Sequence, residues 1–360
     1  MAPIRVGFIG ASVNSWAARA HIPYLKNTSK YKVVALLNTS VEAAHKAIEH
    51  FQFPSTTKAY GDPKDLANDP DVDLVVCSVR VDRHYETILP ALQAGKDVFC
   101  EWPLGKNISE SEELSALAKK KGVKTMIGLQ GEASLSLNKI KELIQGGAIG
   151  KVFSTTVVAV AAGWGPNGRV GYEYLNDIEI GGTMVSIAWG HLMDVVLYVL
   201  GDGKELNSIL DRNRTEIPML DSENKHVATM KRTTHDQIMV QGRLESGALL
   251  SYHLRGGNSF PGTPVFDWRI YGEKGEIRLT ASTSMVQVIS DDVVVQLHKF
   301  GGGEAETVDF KDDTSGLFPE GTGRLYEAFA SGKKESYPDW DLAMKRHRMI
   351  DNMYNQRPFK

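Results

Sequence analysis

The stretch Leu74–Leu104, LVVCSVRVDRHYETILPALQAGKDVFCEWPL, decides the fold. It opens on the apolar run Leu74–Val79, passes through the helical segment YETILPALQAG (85–95), and returns to a second run at Asp97–Cys100. Short continuous apolar runs of this kind read as strands buried on both faces. Two of them joined by a helix form a βαβ unit, with parallel strands and a right-handed crossover.

The same alternation extends in both directions. Upstream lie IRVGFIG (4–10), the helical pattern WAARAHIPYLK (16–26), KVVALL (32–37) and the amphipathic EAAHKAIEHF (42–51). Downstream come SEELSALAKKKG (111–122) and the run Thr125–Leu129. Residues 1–127 are therefore expected to form a Rossmann-type, doubly wound parallel sheet.

Beyond residue 127 the pattern changes. LNKIKELIQGGAIG (137–150) reads as a helix closed by Gly-Gly, VFSTTVVAVAAGW (152–164) as a long strand, and HLMDVVLYVLG (191–201) as an apolar helix. The runs 237–246, 247–257, 267–282 and 285–300 then alternate with a period of two. Glu245-Ser246-Gly247 and Gly272–Gly275 lie between such runs and read as hairpin turns. RLYEAFASGKK (324–334) and DLAMKRHRMIDNMYNQ (341–356) read as a closing helical pair. Residues 128–360 are expected to be an α+β domain with a mainly antiparallel open sheet and helices on one face.

The chain has 360 residues, 42% hydrophobic and 24% charged, with a net charge of −3 and no block of Lys or Arg. This balance leaves no electrostatic footprint for nucleic acid or an anionic membrane. MAPIRVGFIG enters a strand without a charged leader, and no apolar run approaches the ~20 residues of a membrane span. A cytoplasmic location is expected. The two cysteines, Cys77 and Cys100, fall inside apolar runs and read as buried small hydrophobes in a reducing compartment. No metal-ligand set is assigned.

The first turn, Gly10-Ala-Ser12-Val-Asn14-Ser15-Trp16, follows a strand and opens a helix. This is the context in which helix N-terminal amides receive a pyrophosphate. Ser12 stands where the second glycine of G-x-G-x-x-G belongs, and no third glycine follows. The plain alternative is an ordinary βα turn in which Gly10 supplies an unusual φ. At the end of the second strand stands Asn38-Thr39-Ser40, where an acid would bind a ribose diol. Small neutral side chains leave room for a 2′-phosphate, so NADP is favoured over NAD. Alternatively these residues simply cap the helix that begins near Val41.

Three features resemble the Gfo/Idh/MocA oxidoreductases: the Leu74–Leu104 unit with His84 and its AGKDVFCEWPL ending, the GAIGKV turn, and Gly181-Gly182…His191. The resemblance implies that Ser78, His84, Glu101, Trp102 and Gln130 join Gly10, Ser12, Asn14, Ser15, Trp16, Asn38 and Ser40 in holding a dinucleotide. It places Trp102 where the family has a lysine beside the nicotinamide, and Ile187 where it has an aspartate. An indole N–H has no lone pair to accept a proton, so Trp102 reads as a stacking wall or a core aromatic, and proton transfer falls to His191. Trp102, Trp164, Tyr172, Trp189 and His191 are expected to line a sugar or polyol site; Tyr174, His253 and Arg255 are further candidates.

W-A-x-x-x-H-x-P (Trp16–Pro23), HYE (84–86), E-W and GLQG (128–131) resemble the branch that contains fungal galactose-pathway repressors and oxidoreductase-like relatives. That resemblance implies two functions: an NAD(P)-dependent oxidoreductase, or a non-catalytic dinucleotide-binding regulator with a protein partner and a nuclear location. It also implies a substrate and dimerisation role for residues 128–360, with a homodimer formed through the outer face of the C-terminal sheet.

Overall fold

The computed structural model describes residues 2–288, 291–312 and 320–359. The chain divides into two compact units, Met1–Gln130 with Gly316–His347, and Gly131–Ser315 with Arg348–Lys360. A single cut after residue 127 therefore does not describe it. The stretch read as a closing helical pair is split, and much of it belongs to the first unit.

The first unit is built on a six-stranded parallel sheet. Its elements are β1 (Ile4–Ile9), α1 (Trp16–Ala20), α2 (Ile22–Asn27), β2 (Tyr31–Leu37), α3 (Val41–His50), β3 (Lys58–Tyr60), α4 (Pro63–Ala67), β4 (Leu74–Cys77), α5 (His84–Gln93), β5 (Asp97–Cys100), α6 (Ile108–Lys121) and β6 (Thr125–Ile127). The strand order is β3-β2-β1-β4-β5-β6, so the chain reverses direction across the sheet between β1 and β4. Val6, Phe8, Leu36, Leu74–Cys77 and Val98–Cys100 are buried, as expected for strands covered on both faces. The helix expected over 16–26 is broken at His21 into α1 and α2. Pro23 in the first turn of α2 has no N–H to continue the ladder from α1.

The C-terminal part of the first unit closes its far edge. Ile127 N–H donates to Pro338 O (3.0 Å), and the buried Trp340 indole donates to Met126 O (3.2 Å). These bonds occupy backbone groups at the β6 edge that would otherwise be unpaired.

The second unit contains α7 (Leu135–Gln145), β7 (Val152–Ala161), β8 (Gly168–Arg169), α8 (Gly190–Leu200) and the strands β9 (Gly203–Asp211), β10 (Glu216–Leu220), β11 (His226–Lys231), β12 (Gln237–Leu244), β13 (Leu249–Gly256), β14 (Phe266–Gly272), β15 (Gly275–Ala281), β16 (Val294–Lys299) and β17 (Glu306–Thr307). Eight strands form one sheet in the order β17-β16-β15-β14-β7-β13-β12-β9, and β11-β10-β8 form a second. The large sheet is antiparallel except for the parallel pair β7 and β13. Both expected hairpins are present, β12–β13 and β14–β15. Of the run expected over 285–300, residues 289–290 lie outside the described residues, and the strand is confined to β16. The closing helices are α9 (Glu320–Ala330) and α10 (Trp340–Tyr354).

One face of the large sheet packs on its unit's core through Tyr252, Leu254, Val240 and Trp268, whose indole donates to Thr155 Oγ1 (2.7 Å). The opposite face carries the cross-strand row Ile209, Met239, His253, Val158 and Asp267. Of these, Ile209, Met239 and Val158 are exposed. No helix among the described residues is long and apolar enough to cross a membrane.

Gly242 in β12 lies hard against β9, because a Cβ there would lie 2.0 Å from Glu205 O. Gly242→Ala is expected to cost about 3 kcal/mol in chemical denaturation, as overpacking against backbone does. Gly247→Ala, in a turn with φ +88° and no atom within 4 Å, is expected to lose only about 1 kcal/mol.

Candidate functional site

Gly10 lies at the carboxyl end of β1, beside the point where the strand order reverses. Its φ is +95°, and a Cβ would lie 2.6 Å from Ser78 O and 2.4 Å from Val79 Cγ1. Only a residue without a side chain fits, and the bare backbone is left at the switch point where ligands of open α/β sheets bind. Ser78, just beyond β4, is buried and donates its N–H to Ile9 O (3.0 Å).

The turn itself is self-contained. Ser15 Oγ donates to Ser12 O (2.6 Å) and accepts from Ser12 N–H (3.2 Å) and Ala18 N–H (3.3 Å). Two of the amides expected to face a phosphate therefore already have a partner. Ser12 and Asn14 are exposed, and Trp16 is half-buried.

The Asn38 amide donates to Ala11 O (2.9 Å) and Ala43 O (3.3 Å), tying the first turn to α3. Ser40 Oγ accepts from Ala43 N–H (3.1 Å) as the N-cap of α3. The capping role weighed for this segment is thus the one seen for Ser40, and no carboxylate stands at residues 38–40.

After β5 the chain turns through Glu101, Trp102 and a cis Pro103. Glu101 is buried and accepts from His21 Nε2–H (2.8 Å). With Nε2 donating, Nδ1 is left to accept from the Tyr326 hydroxyl (2.8 Å). Gly128 is needed beside this carboxylate, because a Cβ there would sit 2.5 Å from Glu101 Oε2. His84 is buried, its Nδ1 2.8 Å from Pro103 O and its Nε2 3.1 Å from Val79 O. It fastens the turn to the start of α5.

Trp102 is 5% exposed, with its ring 4.7 Å from that of His347. His347 accepts from Leu104 N–H at Nε2 (3.1 Å). Burial, helped by nearby His84, pushes its pKa down to about 3. Neither the indole of Trp102 nor the neutral imidazole beside it is a cationic acid at neutral pH. Nothing in the sequence connects position 347 with position 102. His347 stands in Arg346-His347-Arg348, inside the stretch read only as one of a closing helical pair.

Gln130, just past β6, is fully buried, and neither its Nε2 nor its Oε1 has a partner among the described residues. An orphaned buried amide is rare in a native fold and is what a ligand's polar group would satisfy. Together with the bare backbone at Gly10, it makes the first unit fit a dinucleotide.

In the second unit, Gly181 has φ +81° and ends a tight turn. Thr183 and Ser186 then cap each other's backbone at the start of a wide-wound turn, Met184–Trp189, that runs into α8. Ile187 and His191 are half-buried, and His191 Nδ1 is shielded from solvent. Trp189 departs from its expected place as a pocket wall. It is 1% exposed and meets Phe359 edge-on (6.2 Å), because the helix turns that side chain into the core.

Trp164 is also buried, and its indole donates to Leu175 O (2.9 Å). Arg232, which sequence reading missed, underlies this region. Its buried guanidinium donates to Asn176 Oδ1 (2.9 Å), Trp164 O (3.2 Å) and Gly165 O (3.0 Å). Tyr172 is exposed, 6.3 Å from the ring of Tyr174. His253 and Arg255 lie on the outer side of β13, alternating with buried Tyr252 and Leu254.

A parallel sheet ordered β3-β2-β1-β4-β5-β6, with a glycine turn at its switch point, followed by an α+β unit with an open sheet, defines a dinucleotide-binding oxidoreductase fold. The chain belongs to the Gfo/Idh/MocA oxidoreductase family, in the branch with a Gal80-like C-terminal domain. Residues 4–129 match the oxidoreductase family's NAD-binding Rossmann fold, and residues 136–281 match the Gal80p C-terminal domain. The chain is 30% identical to the galactose/lactose metabolism regulatory protein GAL80 of Kluyveromyces lactis, over 85% of this chain and 70% of that protein. It is 28% identical to the dehydrogenase aclE of Aspergillus oryzae, over 97% and 94% of the two chains. The crystal structure of the transcriptional regulator Gal80p from Kluyveromyces lactis superposes with a TM-score of 0.88 at 26% identity, covering 99% of this chain and 94% of the other.

The burial of His347 has a consequence for stability. An unfolded histidine takes up a proton near pH 6.5, whereas the folded one does so only near pH 3. Stability from this group is therefore present above pH 6.5 and is lost as pH falls toward 3, at up to about 1.4 kcal/mol per pH unit. His347→Gln keeps an acceptor for Leu104 N–H and does not titrate. Its denaturation free energy, measured by urea titration from pH 7 to pH 4, is expected to fall less steeply than that of the wild type by roughly 1 kcal/mol per unit.

Proposed function

We propose that this protein binds NADP(H) or NAD(H) and acts as an oxidoreductase on a hydroxyl or carbonyl of a sugar or polyol-like substrate. The observation that carries the reading is the bare backbone at Gly10, pressed against Ser78 O at the switch point of the parallel sheet. Gly10, Ser78 and Gln130 would hold the dinucleotide, which supplies hydride transfer when bound. The neutral residues Asn38-Thr39-Ser40 present no carboxylate to repel a 2′-phosphate, so NADP is the favoured form. The likeness to the Aspergillus oryzae dehydrogenase, over nearly the whole of both chains, supports retained chemistry.

Within this reading His191 moves the proton at the substrate oxygen, because Trp102 has no lone pair and Ile187 has no charge. With isoleucine at position 187, the family's aspartate is not there to orient and tune that imidazole. Loss of general acid–base help costs roughly 10²–10⁴ in rate, so a slow enzyme is expected. Tyr172 is the exposed aromatic available to lie on a sugar face. The exposed row Ile209, Met239 and Val158 would be covered in a homodimer.

A second reading is a non-catalytic dinucleotide-binding regulator that acts through contact with another protein. It is favoured by the pairing of Trp102 with a neutral His347, which provides no cationic acid where the family has lysine, and by the likeness to the Kluyveromyces lactis regulator.

Titration with NADP⁺ and NAD⁺, followed by intrinsic tryptophan fluorescence, is expected to show binding that Gly10→Ala weakens at least about tenfold, the equivalent of ~1.4 kcal/mol. With a panel of sugars and polyols, slow formation of reduced cofactor is expected, falling by about 10² or more in His191→Ala. Tight cofactor binding without turnover on any substrate would move the assignment to the regulator. Unchanged cofactor affinity and unchanged activity in Trp102→Lys would remove Trp102 from the site.

A further inference from the structure

Sequence reading treats Cys77 and Cys100 as buried small hydrophobes, with a disulfide or metal pair as the poorer alternative, and His84 as part of the dinucleotide site. The fold brings all three together. Cys77 and Cys100 end the neighbouring parallel strands β4 and β5 and are paired in register, so their side chains project to the same face of the sheet. His84, the first residue of α5, returns over that pair, with Nδ1 3.3 Å from Cys100 Sγ. The two sulfurs and a ring nitrogen all lie within 4.8 Å of one another. Cys77 and Cys100 are fully buried, and His84 is 1% exposed.

We propose that Cys77, Cys100 and His84 form a buried site for a thiophilic d¹⁰ cation of the Zn²⁺ or Cu⁺ type. The proposal stands on geometry alone and is independent of the oxidoreductase reading. Thiolate and imidazole donors select soft or borderline cations over Mg²⁺ or Ca²⁺. Tetrahedral ligands at Zn–S ~2.3 Å and Zn–N ~2.0–2.1 Å lie roughly 3.5–3.8 Å from each other. From separations of up to 4.8 Å, a contraction of roughly 1.0–1.3 Å at most meets that spacing.

The surroundings already supply part of what a metal-bound histidine requires. His84 Nε2 faces Val79 O at 3.1 Å, and a ligating imidazole commonly donates its other N–H to a backbone carbonyl; in that tautomer Nδ1 becomes available once its closer contact with Pro103 O is given up. Without the ion, Nδ1 faces Pro103 O at 2.8 Å, Cys100 Sγ donates to Glu101 O (3.2 Å), and Cys77 Sγ lies 3.5 Å from Thr87 Oγ1. Loading exchanges these contacts for metal bonds. Each thiol that becomes a ligand loses its proton to solvent, two in all for a divalent ion. The ion would sit beneath the Glu101–Pro103 turn and hold it from below.

The test uses the full chain, reduced and freed of metal with a chelator, and titrated with Cd²⁺ as a spectroscopic probe. One equivalent is expected to bind, with a sulfur-to-metal charge-transfer band in the ultraviolet. Cys77→Ser and Cys100→Ser should each lose most of the band, and His84→Gln should weaken binding at least about tenfold, in line with the loss of a ligand. X-ray absorption on the zinc-loaded wild type, which needs no variant to fold, should show two sulfur neighbours at ~2.3 Å and one nitrogen at ~2.0–2.1 Å. Absence of stoichiometric uptake, an undiminished band in the cysteine variants, or a shell of oxygen and nitrogen only would each overturn the proposal.

Discussion

The buried contact between Glu101 and His21, 2.8 Å long, is the constraint on which the first unit depends. A carboxylate taken out of water is costly unless its lone pairs are satisfied, and removing one partner of such a pair is far worse than never having it. Here the partners come from separate parts of the chain. Glu101 begins the turn after β5, His21 stands at the break between α1 and α2, and Tyr326 comes from α9. Tyr326 is itself packed against Tyr24, Tyr31 and Phe99, and Tyr31 donates to its carbonyl (2.6 Å). One polar chain inside an aromatic cluster thus fixes where the first helix kinks, where the Glu101–Pro103 turn lies, and where α9 docks. Displacing any of the three would leave a buried polar group unpaired.

That arrangement also explains how the unit can depart from its family's usual residues without losing its shape. The turn that carries Trp102 is held from both ends by groups other than Trp102: Glu101 by His21, and Pro103 by His84. The side chain between them is free to differ in chemistry while the backbone stays where a dinucleotide-binding domain needs it. The glycine at position 10 has no such freedom, because the backbone of Ser78 occupies the space a side chain would need.

Much of the fold was legible because its signals are local. Continuous apolar runs ending at Cys77 and Cys100 mark doubly covered strands, and Glu245–Gly247 and Gly272–Gly275 mark hairpins through their turn chemistry. The candidate site was legible where a motif carries its own geometry, as at Gly10 and Gly181. What stayed hidden depends on pairs distant in sequence. Amphipathicity shows that α9 and α10 bury one face but not which unit receives it. Strand register, which sets Cys77 beside Cys100 and below His84, is invisible until the sheet is assembled. The burial of Trp189 was equally hidden, because the wide turn before α8 shifts the helical phase and leaves no mark in the sequence.

The discontinuity of the first unit has a temporal side. Its sheet is complete by Ile127, yet Tyr326, Pro338 and Trp340 are encoded about two hundred residues later. At ~5–20 residues per second, a ribosome needs roughly ten to forty seconds to cover that distance. During that interval the emerging domain carries Glu101 and His21 without Tyr326, and β6 without the backbone partners supplied by Pro338 and Trp340. A nascent chain in that state offers an open strand edge and an incompletely satisfied interior, which are features that chaperones engage. The C-terminal helices are thus the last step in building the domain that begins at the N-terminus.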